Sequence, residues 1–108
     1  MHSSVLEVRA GADGSVVIAP HGEVGDDQTA EFRRALVHAV RKVRPFLLIV
    51  DLADVPELDP VNVGSVAAAC ALGDDHHVTV FVDNPRREVA RRLQAAGVPH
   101  QRLRSSGH

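Results

Sequence analysis

The chain has no tryptophan and no tyrosine, and Phe32, Phe46 and Phe81 are its only phenylalanines, so its core has to be assembled from aliphatic side chains. Single-stranded nucleic acid is gripped by aromatic platforms set among basic residues, and that equipment is missing. A one-sided charge is missing too. Twelve basic residues stand against 14 acidic ones along the chain, giving a formal charge of −2 and no electrostatic footprint for phosphate backbones or anionic lipid. Nucleic acid is therefore not an expected partner. Cys70 is alone, which rules out an internal disulfide and a zinc site built on paired cysteines, and fits a reducing compartment. Lys42 is the only lysine, and neither a Gly-rich phosphate loop nor a Ser-His-Asp pattern occurs, so nucleotide hydrolysis and acyl transfer lack their minimum equipment. No apolar run reaches membrane-spanning length, and residues 1–10 lack the basic start and apolar stretch of a signal peptide. The expectation is a cytoplasmic, non-catalytic domain without direct membrane insertion, needing no cofactor.

What is present is one domain's worth of chain, 108 residues of which 44% are apolar, mostly Val, Leu, Ile and Ala. Residues 5–10 roughly alternate, Ala12-Asp13-Gly14 supplies a turn, and residues 15–19 are β-rich, which reads as an opening hairpin. Residues 27–43 place Phe32, Leu36, Ala39, Val40 and Val43 at helical spacing. Asp26, Asp27 or Thr29 is expected to cap this helix, and Pro45 to stop it. The run at 46–52 suggests a central strand covered on both faces. A short buried helix over 63–72 is expected to end at Gly73 as a left-handed cap. Residues 77–83 read as a strand, Asn84-Pro85 as an N-cap and first helical residue, and Val89, Ala90, Leu93 and Ala96 as the inner face of a last helix capped by Gly97. Residues 98–103 suggest an edge strand. The order β-β-α-β-α-β-α-β predicts an α/β fold with a mixed sheet and right-handed crossovers.

Three stretches then look like one family. Gly22-Glu23-Val24 closes the second strand, LLIVDLADV at 47–55 leads into Asp59, and NPRREVARRLQAAGV fills 84–98. In order and spacing these resemble the STAS domain of bacterial anti-sigma factor antagonists and of sulfate-transporter tails, over roughly residues 5–103. The resemblance implies a single STAS-like domain at 4–104, with 105–108 a loose tail. It also implies a loop before the second helix where a partner kinase phosphorylates a hydroxyl residue. Here that loop reads DPVNVG, residues 59–64, so Val61 stands at the acceptor position and has no oxygen to phosphorylate. Ser65 is the alternative acceptor, but a small helical serine more often packs. Asp26 follows Gly25 where the family places an acid directly after its Gly-Glu-Val-like triplet, a shift of one residue.

On this resemblance the expected partner is an anti-sigma factor or kinase-like regulator, bound by Glu23, Asp26, Thr29, Asp54, Asp59, Val61, Asn62 and Val63. Val61 and Val63 are the apolar anchors, with Asp54, Asp59 and Asn62 as a polar rim. The alternative is a stand-alone subunit that assembles with a transporter ATPase; a homodimer is compatible with both. Other constellations are weaker. Asp74, Asp75, His76 and His77 offer metal-ligand types, but the bland reading is a polar turn and no metal is expected. Asp51, Asp54 and Asp59 lack the early acidic pair and the downstream lysine of a response-regulator pocket. Cys70, flanked by Ala69 and Ala71, reads as packing. His21, His38 and His100 fall in separate segments and motivate no pH sensor.

Overall fold

A computed structural model describes residues 5–105 of the chain. Strand β1 (Val5–Ala10) turns back as β2 (Val16–His21), helix α1 (Asp26–His38) leads to β3 (Leu47–Asp51), α2 (Pro60–His76) to β4 (Thr79–Asp83), and α3 (Arg87–Ala95) to a two-residue β5 (Leu103–Arg104). The strands lie in the order β1-β2-β3-β4-β5, antiparallel in the first pair and parallel thereafter. The mixed sheet and the element order are those expected. Of the expected tail, only Ser105 falls within the described residues.

A right-handed crossover that always steps to the next strand in the same direction puts each helix on the same side of the sheet. One face therefore carries the core. Ile18, Leu48, Val50, Val80 and Val82 from the strands pack against Phe32, Leu36 and Val40, against Val66, and against Val89 and Leu93. The strand β3 alternates between buried and half-buried residues, so it is not covered on both faces as its sequence suggests. An unbroken apolar run has no periodicity with which to report that its second face is open. On that open face Val17, Ile49 and Phe81 sit side by side in register across β2, β3 and β4. The Arg104 guanidinium lies 4.1 Å above the Phe81 ring and pairs with Asp83 at 2.7 and 3.0 Å, which ties the very short β5 to its neighbour.

Several expected boundaries move. Gly25 caps α1, its N–H donating to Gln28 Oε1, while Thr29 Oγ1 turns back to donate to the Gly25 carbonyl. The last turn of that helix, Ala39–Val43, is π-helical and closes with the Arg44 N–H on the Ala39 carbonyl and Arg44 itself left-handed at φ 52°. The wider turn slides the 3.6-residue stripe out of register, and Val43 ends exposed rather than inward. The helix α2 is 17 residues long, begins three residues earlier than its sequence suggests and runs past Gly73 to His77, whose left-handed φ of 60° makes the cap. Gly73 is needed inside the helix instead. A Cβ there would stand 2.6 Å from the Val78 carbonyl oxygen and 2.8 Å from Val80 Cγ2, so the glycine lets α2 graze the start of β4. Asn84 is left-handed and Arg86, not Asn84, is the N-cap of α3; Gly97 follows the helix with φ 106° as expected. Ala96 is exposed, and a 3-10 turn, His100–Arg102, takes half of the expected edge strand.

Candidate functional site

The loops leaving the C-terminal ends of β2 and β3 lead into the first turns of α1 and α2, and most of the expected partner-binding residues lie there. Asp59 is the N-cap of α2: its Oδ1 accepts from the Asn62 backbone N–H at 2.9 Å and from Asn62 Nδ2 at 3.0 Å. Pro60 follows at the first helical position, where a missing N–H costs nothing. Val61 comes next and is 62% exposed, an apolar side chain held out at a helix N-terminus.

Two of the expected contact residues are not on the surface. Asn62 is completely buried, and Val63 is buried in the core. Both belong to the inner side of the first turn, so neither serves as rim or anchor. Asn62 has a structural part instead. Its Nδ2 donates to Asp59 Oδ1 and, at 3.1 Å, to Thr29 Oγ1, which stitches the start of α1 to the start of α2. Thr29 is thus half-buried and engaged, whereas Glu23 and Asp54 are exposed, and Asp54 is held by His21. Asp26 gives its backbone to the first turn of α1; its side chain lies outside the described residues. Ser65 is half-buried and donates to the Val61 carbonyl at 3.3 Å.

The two loops are also laced together by a histidine that sequence reasoning passed over. His21, the last residue of β2, places Nδ1 2.6 Å from Asp54 Oδ2 and Nε2 2.8 Å from Glu7 Oε1 on β1, while the Gly22 N–H donates to the Asp54 carbonyl. Glu7 is further paired with Arg9 at 2.6 Å. The only signal in the sequence was that His21 ends a strand paired with a strand carrying Glu7; Asp54, thirty-three residues on, is brought in by the fold. Hydrogen bonding to the Glu7 carboxylate and then to Asp54 raises the imidazole above its ordinary value of 6.5, and accepting that bond from His21 lowers the Glu7 carboxyl below its ordinary 4.5. The His21 contribution is fully present below 6.5 and is lost as pH rises through the elevated value. The Glu7 contribution is present above 4.5 and is lost as pH falls. The latch therefore helps most between those two values. Thermal unfolding midpoints should fall as pH rises above 6.5, and His21→Gln should remove that part of the pH dependence; an unchanged slope would mean the latch is too solvated to matter.

The other constellations are used up in ordinary structure. Asp51 accepts from the Ala53 N–H, Asp54 holds His21, and Asp59 caps, so the three acids do not converge. Asp74 pairs with Arg102 at 3.0 Å. Asp75 and His76 lie in the last turn of α2 rather than in a polar turn. Among the described residues no group of three His, Cys, Asp or Glu side chains is placed to hold a metal ion. Cys70 faces the core, and burial pushes its thiol up to about 11. Among the described residues no helix is long and apolar enough to cross a membrane.

Solved structures share this fold. The Bacillus cell-fate determinant SpoIIAA in its phosphorylated form superposes with a TM-score of 0.81 at 15% identity, over 96% of this chain and 93% of that one. An anti-sigma factor antagonist from Mycobacterium paratuberculosis gives 0.72 at 23% identity, over 97% and 87%. The STAS domain of a SulP transporter from Vibrio cholerae gives 0.64 at 19% identity, over 89% and 76%. No curated protein sequence matches the chain significantly. At such identities these likenesses establish the fold, but the sequence model described as the STAS domain also matches residues 5–102, from the first strand to the turn before the last. With the sheet order, the capped loop at Asp59 and that match in agreement, the chain belongs to the STAS domain family.

Proposed function

We propose that the protein is a non-catalytic, cytoplasmic regulator of the anti-sigma factor antagonist kind, which docks onto an anti-sigma factor or kinase-like protein through the surface around Val61 without being switched by phosphate there. The observation that carries this reading is Val61 itself: a large apolar side chain 62% exposed on the second residue of a well-capped helix. An exposed aliphatic group with a polar rim is what a docking hot spot requires, and the exposed Asp59, two residues before it, is the rim residue nearest in sequence, with Asp54 and Glu23 on the neighbouring loops. The buried thiol, held protonated near neutral pH, supports a role without covalent chemistry. Control then rests on abundance, a ligand or assembly. A second reading is a stand-alone subunit that assembles with a transporter ATPase; the likeness to a SulP transporter's STAS domain supports only the transporter setting of this fold, not the ATPase.

The test is capture from native lysate with the tagged intact chain, compared with Val61→Glu, which sets a negative charge where the family's phosphate would go. Recovery of the partner should fall by about tenfold or more, since burying an unpaired charge at a hot spot costs about 2 kcal/mol or more. Asp59→Ser keeps a capping oxygen while removing the charge, so a loss there reports on binding rather than folding. A kinase-like anti-sigma factor lost on Val61→Glu supports the regulator; a transporter ATPase moves the assignment to the second reading. Equal capture by both proteins, or phosphate found on Ser65, overturns the proposal.

A further inference from the structure

A trough runs between α1 and α2 and takes in Val61 at the start of α2. Its floor is apolar, formed by Ala30, Val37, Val61 and Leu72, and its volume is about 500 Å³. That is the size of a small-molecule pocket, but the trough is open to solvent rather than an enclosed cavity, and it lies between two helices, where a third can pack. Arg33 stands on its α1 bank, and beyond it a second depression on the outer face of the same helix is edged by Arg34, Arg41 and Lys42. None of these four cations has an ion-pair partner among the described residues. Among the described residues no acidic side chain lines either depression. The described residues around these two depressions are therefore one-sided in charge, although α1 also carries the exposed Glu31, three residues before Arg34.

Gly64 adds an independent observation. It sits in the interior of α2, where glycine is about 1 kcal/mol worse than alanine. Its backbone does not need the left-handed region, and a Cβ built on it would meet nothing within 4 Å. Internal packing gives no reason for a glycine at the edge of the trough. A close approach from outside does.

We propose that the α1–α2 trough receives an acidic amphipathic helix from a partner protein, its apolar stripe on Val37, Val61 and Leu72 and its carboxylates on Arg33, Arg34, Arg41 and Lys42. An added helix can bury an i, i+3, i+4, i+7 stripe between two others, and a glycine at the crossing lets the backbones close up. Nucleic acid fits less well: none of the three phenylalanines lines the trough, so bases find no stacking platform. A lipid surface fits less well too: Val61 projects, but Ala30, Val37 and Leu72 line a trough that a planar bilayer does not fill. The inference rests on the reading that the protein works by binding another protein. It does not rest on the loss of phosphate control or on who the partner is.

The test uses the full chain, 15N-labelled, titrated with a designed 20-residue amphipathic helix carrying leucine on one stripe and glutamate elsewhere, and with the same peptide carrying lysine in place of glutamate. Amide shifts should centre on Ala30, Val37, Gly64 and Ala68, and the lysine peptide should bind at least about tenfold more weakly. Combined Arg33→Glu, Arg34→Glu and Arg41→Glu should weaken the glutamate peptide by about tenfold or more, and salt should weaken it in the unmodified protein but not in this variant. Gly64→Leu fills the trough without altering charge and should abolish binding while leaving the unfolding midpoint at or above that of the unmodified protein. Equal binding of the two peptides, shifts centred elsewhere, or no binding at millimolar peptide overturns the inference. So does saturable binding in the trough of a single-stranded oligonucleotide or of phosphatidylglycerol vesicles but not of the peptide. A capture experiment that fails at Val61→Glu leaves these outcomes untouched, so the two readings fail separately.

Discussion

Asn62→Asp should destabilise the protein by about 3 kcal/mol or more at neutral pH, the penalty typical of an uncompensated buried charge. The side chain is completely buried, and its Nδ2 makes two donations, to the Asp59 carboxylate and to Thr29 Oγ1. An aspartate of the same shape turns both donations into facing oxygens and sets a second carboxylate against the first. Burial and that neighbour raise the new acid's pKa in the folded state, so the penalty grows as pH rises above the ordinary carboxylate range and shrinks below it. At acid pH the protonated group again has a hydrogen to offer. Urea unfolding at pH 7 and at about pH 4 measures this directly. A gap of equal size at both pH values would show that shape or cap geometry, rather than charge, makes Asn62 necessary.

Gly73→Ala is the second large effect, and its interest is its sign. In an exposed helix interior the exchange gains about 1 kcal/mol. At Gly73 the new methyl would meet the Val78 carbonyl oxygen at 2.6 Å, and a backbone atom of the turn into β4 cannot step aside as a side-chain tip can. A loss of about 1–3 kcal/mol is expected from overpacking, equivalent to several degrees in the unfolding midpoint of a domain this size. Gly64→Ala on the same helix is the built-in control, because its methyl meets open space and should stabilise by roughly 0.5–1 kcal/mol. Two variants of one chemistry on one helix should therefore move in opposite directions. Parallel changes would contradict the close approach of α2 to β4.

Much of this architecture was legible from hydrophobic spacing and turn residues. Phe32, Leu36, Ala39 and Val40 announce α1, and valines around Phe81 announce β4, because buried faces leave a period in the sequence. What misled were residues with two common uses. Gly73 reads as a helix stop, yet glycine equally serves close approach, and only the packing partner tells which. Asn84 before a proline reads as an N-cap, but it takes the left-handed conformation asparagine tolerates, and the helix begins two residues later. At the site, the resemblance located the loop and its missing hydroxyl. It had no means of separating the outward Val61 from the inward Asn62 and Val63, since that division depends on where the first turn of α2 faces. The His21 latch and the clustered cations on α1 are properties of spatial neighbourhood, spread in the sequence over residues that individually carry no motif.

The agreement between strand order and chain order has a consequence for synthesis. After the opening hairpin, each helix-strand unit docks against the edge left by the unit before it, and no strand waits for a later one to be inserted between itself and its neighbour. A nascent chain leaving the ribosome amino-terminus first can thus lay down its sheet one strand at a time, in the order of translation. The outer edge of β1 takes no strand among the described residues, and at every stage the residues that will cover the other, growing edge are the next to emerge.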